Sequence, residues 1–390
     1  MSNINQNKIY MVCACVLIVL VSVFVWAASR PENMGTKKEE IPSQSDITEG
    51  HFYKKYSESF IVDADVPSTF NDKAEVLFVK SGLACDEKKV CSVFFKENSP
   101  ERSTYTSSGI EIVTYQYKDK FVSITPGTIS YTSNQYQYVA LPTDEFNTKS
   151  QYVNSFPRFN EIYKKDNLGF MTKTEAIKTV KGILNDLSIE VSDSVEAYAI
   201  DHETMQLQQE QRMQENPDIA LMYQTKNKFT EKDDFYLLCF TVIMNEMPIT
   251  PYDYMFQGGD RSVPGSEIKV YFSKDGIFYF VAKGLYLMKG VAESPNRLIT
   301  LQEAIEKAFE IHKSIITTDK LLVEDVNFEY GFVPYNQNYN EIKLTPTWTL
   351  RLSYEVEGSY SKEGKSKKAI NESKQTRIIA INAVTGEKIN

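Results

Sequence analysis

Few side chains in this chain could carry out acid–base, nucleophilic or metal chemistry. The 390 residues include three histidines and five cysteines. Hydrolases commonly use a positioned histidine or a metal ion. His51, His202 and His312 have no partner at metal-ligand spacing, because HExxH and CxxC pairs are absent, and GxSxG is absent as well. We therefore predict that the protein is not an enzyme and has no catalytic, cofactor-binding or metal-binding residues.

Two pairs of carboxylates are the other candidates for acid–base chemistry. Asp63 and Asp65 alternate along a predicted strand, and Asp233 and Asp234 come just before another strand. Acidic side chains at such positions are normally solvated, so we predict exposed carboxylates rather than a catalytic pair. His312 lies on the apolar stripe of a predicted helix, which favours a core histidine over a general base.

The cysteines allow two interpretations. Cys85 and Cys91 flank five residues and could close a small disulfide loop. Asp86 could instead cap a helix that continues to Phe95, and that helix would orient the two thiols poorly for a bond. Cys239 lies within an apolar strand, where a buried inert thiol is expected rather than a nucleophile.

The N-terminal residues predict a membrane anchor. An uncharged run of 20 residues begins at Ile9 and ends at Ala28. At about 1.5 Å per residue, a helix of this length spans the ~30 Å hydrocarbon core of a bilayer. A cleaved signal peptide is the alternative, since small residues at the end of the run could form a cleavage site. We predict a short tail at 1–8, a transmembrane anchor at 9–28 and a flexible polar stalk at 29–50.

Composition favours a strand-rich globular protein that does not bind nucleic acid. The formal net charge is -9, whereas phosphate backbones require a dense Lys and Arg surface. The 24 Tyr and 22 Phe residues are typical of β-strands. The basic residues on both sides of the predicted anchor do not decide its orientation. A short tail, one anchor, a stalk and a large remainder indicate a single-pass protein of the cell membrane whose C-terminal part is extracytoplasmic.

An internal repeat organises the C-terminal half. Thr172 and Thr300 each precede an amphipathic segment, and Glu175 and Glu303 stand three residues further on. This spacing predicts a helix that begins with a capping box in both places. Each predicted helix is followed by predicted strands: 195–200, 235–244 and 267–280 in the first unit, and 326–333, 347–356 and 376–381 in the second.

The residues before the repeat predict a separate β-rich region. Short strands are expected at 60–67, 74–80, 110–117, 121–124 and 128–138. Tyr131, Tyr136 and Tyr138 alternate with polar residues in the last of these. They could form an exposed binding edge, although packing of one strand face is the simpler interpretation.

The second unit resembles a PepSY-like domain. The residues that carry this are the helix at Glu303 and the segments 346–348 (PTW) and 381–389 (INAVTGEKI). The layout is similar to the YycH/YycI regulators, single-anchor proteins that restrain a sensor kinase outside the membrane. The whole chain from residue 50 resembles an uncharacterised family of surface proteins and lipoproteins from Gram-positive anaerobes. That resemblance rests on the motifs 63–67 (DADVP), 198–201 (YAID), 204–206 (TMQ) and 229–234 (FTEKDD).

The resemblance and the repeat together predict an α+β protein. The expected order is the N-terminal membrane helix, a β-rich α+β domain at 51–165, and two PepSY-like helix-plus-antiparallel-sheet repeats at 166–292 and 293–390. The family has no established activity, so it supplies no catalytic residue. Relatives often carry a lipobox, and its absence here indicates anchoring by a helix.

The expected function is a membrane-anchored, extracytoplasmic regulatory or protein-interaction module without enzymatic activity. We expect a membrane or surface protein as the partner, bound by covering its surface or by adding a strand to a sheet edge. The alternative is a binding module for a peptide, a glycan or a cell-wall component, on which tyrosines could stack. The sequence does not indicate a small ligand.

Overall fold

A computed structural model gives the fold of the chain. It describes residues 46–48, 50–67, 70–96, 98–143, 162–255, 262–314, 320–335, 342–355 and 374–389. The helices in these ranges are α1 (Glu87–Phe95), α2 (Asn134–Val139), α3 (Lys173–Asp186), α4 (His202–Glu215) and α5 (Leu301–Lys313), with short 3₁₀ turns at Pro217–Leu221 and Glu231–Asp233.

Twenty strands lie in the same ranges. They are β1 (Asp46–Thr48), β2 (His51–Ser57), β3 (Phe60–Asp65), β4 (Val76–Ser81), β5 (Glu101–Ser107), β6 (Ile110–Tyr117), β7 (Lys120–Thr125), β8 (Thr128–Thr132), β9 (Val191–Ile200), β10 (Phe235–Met244), β11 (Met247–Pro248), β12 (Tyr254–Met255), β13 (Ser262–Val263), β14 (Glu267–Ser273), β15 (Gly276–Lys283), β16 (Tyr286–Glu293), β17 (Leu321–Pro334), β18 (Ile342–Glu355), β19 (Lys374–Asn382) and β20 (Lys388–Ile389).

The described strands form two nine-stranded sheets and a two-stranded one. Sheet A has the order β1-β2-β3-β17-β18-β19-β20, and β4 pairs with the first residues of β18 and with β16. Sheet B has the order β9-β10-β14-β15-β8-β7-β6-β5, and β11 folds back on the end of β10. The pairing of β3 with β17 is parallel, and the other pairings within the two sheets are antiparallel.

The predicted fold class is wrong. Both sheets combine strands from before and after residue 165, so the protein is a two-sheet β-rich fold rather than a β-rich domain followed by two PepSY-like repeats. The first predicted repeat on its own would leave the outer edge of β15 unpaired. The second predicted repeat on its own would leave the outer edge of β17 unpaired. β8 and β3 occupy those edges instead, which satisfies the backbone groups there. The domain boundaries at 51, 166 and 293 stay predictions.

The prediction of a single-pass membrane protein is also corrected. No helix in the described ranges is both long and apolar enough to cross a membrane. The segment predicted as the anchor, from Ile9 to Ala28, and the tail at 1–8 lie outside those ranges. Residues 46–48, predicted to be part of the stalk, form β1 and pair with β2. We do not retain the membrane location or the extracytoplasmic assignment.

The helix starts predicted from the capping boxes are confirmed. Thr172 accepts a hydrogen bond from the Glu175 amide, and the Glu175 side chain accepts one from the Thr172 amide at 3.0 Å. Thr300 and Glu303 repeat this arrangement at the start of α5. The buried faces of α1, α3 and α5 join residues of both sheets in one continuous apolar cluster.

A second, smaller core lies on the other face of sheet B. Its apolar side chains come from β9, β10, β14 and β15 and from the segments around α2 and α4. Met205 of α4 is fully buried in it, whereas Leu207 is 63% exposed. α4 therefore covers sheet B with one buried stripe.

Candidate functional site

His51 lies between the two carboxylates of β3. Its Nδ1 is 3.0 Å from Asp65 Oδ1 and its Nε2 is 2.9 Å from Asp63 Oδ1. Hydrogen bonding to Asp65, and then to Asp63, raises the pKa of the His51 imidazole. Because both ring nitrogens face carboxylates, these contacts stabilise the imidazolium relative to the neutral ring. Both carboxylates are exposed, as predicted.

The prediction of solvated carboxylates is wrong for Asp233 and Asp234. Both are nearly buried, at 8% and 7% exposure. Asp234 accepts hydrogen bonds from the His202 amide at 2.7 Å and from His202 Nδ1 at 2.8 Å, and burial raises its pKa. Asp233 accepts from Lys226 Nζ at 2.6 Å and from the Thr230 amide at 2.9 Å. These carboxylates hold loops in place. The three-residue spacing from Thr230 to Asp233 is that of a capping box, and it was the signal in the sequence that could have predicted this contact.

His312 is a core residue, as predicted. It is 5% exposed, its ring centroid lies 5.4 Å from that of Phe60, and its Nε2 is 3.3 Å from Ser59 Oγ. Throughout the described ranges, no group of three or more His, Cys, Asp or Glu side chains is placed to hold a metal ion. The absence of enzymatic activity stays a prediction.

The helix interpretation of Cys85 and Cys91 is confirmed. Asp86 caps α1 by accepting a hydrogen bond from the Lys89 amide at 2.8 Å, and α1 continues to Phe95. Burial raises the pKa of both thiols, that of Cys91 to about 11. The disulfide between them stays a prediction. Cys239 is half-buried.

The predicted tyrosine edge is mostly packed. The strand ends at Thr132, and the residues that follow Ser133 form α2. Tyr131 is buried and stacks on Phe94, with ring centroids 4.6 Å apart. Tyr136 stacks on Tyr279 at 4.1 Å. Of the three tyrosines, only Tyr138 remains well exposed, so the packing interpretation holds for the other two.

β5 is an unusually open sheet edge. Six of its seven residues are exposed, and its register with β6 runs without a shift from Glu101 opposite Gln116 to Ser107 opposite Ile110. It contains no Pro and no Lys, the residues that commonly protect an edge strand. A regular edge of this kind is a template for another strand.

The other strands that end a sheet in the described ranges are less open. β1 and β20 have three and two residues. β16 is interrupted by two register shifts and carries Lys289. β9 has a register shift opposite β10, and part of it lies beside residues 163–166, with which it lines a cleft of about 200 Å³. β5 is thus a long edge whose register has no shift.

The turn after β5 fixes which backbone groups are free. Ser108 and Gly109 both have positive φ, at 51° and 77°, as in a two-residue type I′ turn. In such a hairpin the flanking residues Ser107 and Ile110 form a hydrogen-bonded pair, and the pattern alternates from there. The N–H and C=O groups of every second residue, 102, 104 and 106, therefore point away from β6.

Side chains hold β5 on the sheet. Arg102 Nε lies 3.1 Å from Glu87 Oε2 of α1, and the Tyr115 hydroxyl of β6 donates to the same carboxylate. The Arg102 hydrogen bond, followed by that of Tyr115, lowers the pKa of Glu87. On the opposite face, Ser103 Oγ lies 2.6 Å from Thr114 Oγ1. These contacts keep the free edge in the extended form that a partner strand requires.

Comparisons with known proteins give a fold likeness. No protein-family model matches the chain, and no curated protein matches it either. The crystal structure of an uncharacterized protein from Eubacterium rectale is similar, with a TM-score of 0.65 and 14% sequence identity over 87% of this chain and 93% of that one. At this identity the likeness shows the fold alone. The resemblance to surface proteins of Gram-positive anaerobes stays a prediction.

Proposed function

We propose that the protein is a non-enzymatic interaction module that binds an extended segment of a partner protein as an added strand on β5. The observation that carries this is the exposed, unshifted and uncharged stretch of edge at 103–107. Strand addition uses main-chain hydrogen bonds for affinity and alternate side chains for specificity.

The free edge can supply a useful binding energy. Three outward residues offer six backbone groups, and each hydrogen bond contributes about 1 kcal/mol net. Ordering the partner segment costs about 2–5 kcal/mol, so side-chain contacts must add to the backbone term. Tyr105 and Ile110, which are 37% and 50% exposed at this edge, offer apolar surface for those contacts. The preformed edge itself loses little conformational freedom on binding.

The test replaces one outward backbone donor. In Thr104→Pro the missing N–H belongs to an outward residue, so no hydrogen bond to β6 is lost, and proline is tolerated at edge positions of this kind. Thr104→Val is the matched control, because it changes the side chain and keeps the N–H. Tagged full-length protein and the two variants are used to capture partners from the source cells.

We expect a partner that is captured by the unmodified protein and by Thr104→Val and is lost with Thr104→Pro. Hydrogen exchange at residues 102, 104 and 106 should slow in the captured complex. A partner retained equally by all three proteins, with no change of exchange in β5, would refute strand addition at this edge.

A further inference from the structure

Three lysines and two aromatic rings share one corner of sheet A. We call this the lysine–aromatic patch, and its members are Phe78, Lys80, Lys289, Tyr335 and Lys343. Phe78 and Lys80 alternate along β4 with buried residues of the core and so face away from it. Phe78 is paired with Lys343 of β18 on one side and with Gly290 of β16 on the other. The patch therefore crosses three neighbouring strands.

The aromatic rings position one of the cations. Lys343 Nζ lies 5.5 Å from the centroid of Phe78 and 5.2 Å from that of Tyr335. The two rings meet edge to face, with centroids 4.7 Å apart. Attraction to the ring faces holds the ammonium group at the surface without neutralising its charge. Tyr335 is 50% exposed, so a ligand at Lys343 would also contact an aromatic ring.

The lysines of the patch have no acidic counterpart. None of the three forms an ion pair with any acidic residue of the described ranges, in a chain whose net charge is -9. Lys80 and Lys289 are close enough for the Lys80 ammonium to lower the pKa of Lys289. Two adjacent ammonium groups repel each other, and a bound anion would remove that repulsion.

We propose that the lysine–aromatic patch binds an acidic polypeptide segment. Neighbouring strands are about 4.8 Å apart, so the backbone positions that carry the three lysines spread over about 10 Å. In an extended peptide, side chains on one face recur about every 6.7 Å, so two or three carboxylates in alternation fit this spread. This site is separate from the β5 edge and does not depend on the function proposed there.

A defined peptide tests the proposal. The probe is a fluorescein-labelled heptapeptide of alternating Glu and Ser, and its control has Gln in place of Glu. Binding to the full-length protein is measured by fluorescence anisotropy at 50 and 200 mM NaCl. The test variant is Lys80→Gln/Lys289→Gln. The control is Lys178→Gln, which removes one exposed lysine from α3, outside the patch.

We expect the acidic peptide to bind, the Gln peptide not to bind, and the higher salt to weaken binding. Each exposed lysine contact should contribute up to about fivefold in affinity, so the double variant should bind up to about 25-fold more weakly. Lys178→Gln and Thr104→Pro should bind like the unmodified protein. Unchanged binding by Thr104→Pro would show that this site is separate from the β5 edge.

Several results would overturn the proposal. Unchanged affinity in Lys80→Gln/Lys289→Gln, or an equal loss in Lys178→Gln, would place the peptide elsewhere. Displacement of the peptide by an equal concentration of inorganic phosphate would indicate a site for a single oxyanion. Binding to phosphatidylserine vesicles in the absence of peptide binding would assign the patch to a lipid surface.

Discussion

Tyr236 of β10 fastens the segment before α3 to sheet B, and Tyr236→Phe should weaken the fold measurably. Its hydroxyl donates to the Met171 carbonyl at 2.7 Å and accepts from the Leu168 amide at 2.8 Å. Tyr236 is fully buried and Leu168 is 7% exposed, so water cannot readily replace the lost group. The variant loses two hydrogen bonds at about 1 kcal/mol each and leaves the Leu168 amide without an acceptor. We therefore expect the free energy of unfolding to fall by about 2–3 kcal/mol.

Urea unfolding of the full chain, followed by circular dichroism, measures this loss as a lower midpoint at constant slope. Tyr53→Phe is the matched control, because Tyr53 is 52% exposed and its hydroxyl has no hydrogen bond within the described part of the chain. We expect less than about 0.5 kcal/mol for the control. A loss in Tyr236→Phe no larger than that of the control would refute the fastening role.

Three further predictions concern titratable groups. For Asp201, burial acts to raise the pKa, but hydrogen bonds from Thr204 and Lys165 outweigh it and hold the pKa below its usual value. The ionised Asp201 carboxylate therefore stabilises the folded protein at pH values above the pKa that Asp201 has in the unfolded chain, and this stabilisation is lost as pH falls through its pKa in the folded protein. The difference in Tm between the unmodified protein and Asp201→Asn should therefore shrink between pH 6 and pH 3. Asp65→Asn should lower the raised pKa of His51 toward its usual value, as read from ring-proton NMR shifts, and an unchanged pKa would contradict the contact. Cys91 should resist iodoacetamide at pH 7.5 until the protein is unfolded in urea, and rapid native labelling in a mass spectrum would contradict its burial.

Local signals in the sequence predicted local structure well. The capping boxes at Thr172 and Thr300 mark the starts of α3 and α5, because the contacts that make a cap lie within four residues of one another. The apolar run at β10 and the alternation along β18 likewise indicate strands that the structure contains.

The arrangement of strands could not be read in the same way. The pairing of β3 with β17 places Phe60 beside Leu321, and nothing in the sequence of either segment indicates that the other is its neighbour. The two helix-strand units were predicted from a repeated pattern, and a repeat gives no information about what covers its outer edge. The pairing of β8 with β15 is missed for the same reason.

The candidate site was only partly visible. Addition of a strand at an exposed edge was expected as a way of binding, but β5 itself was not among the predicted strands. The Ser108-Gly109 dipeptide after Thr and Tyr residues was the available signal for its hairpin. Which strands end a sheet depends on pairings between distant residues, so the openness of β5 emerges only from the fold.

Residue-resolved amide hydrogen exchange along β5 in the unbound protein tests the central claim most directly. Exchange at residues 102, 104 and 106 should be fast, and exchange at 103, 105 and 107 should be slow, because only the second set donates to β6. Slow exchange at all six amides would mean that the edge is already covered. Fast exchange at all six would mean that β5 is not held on the sheet, and either result would contradict a preformed edge that accepts a partner strand.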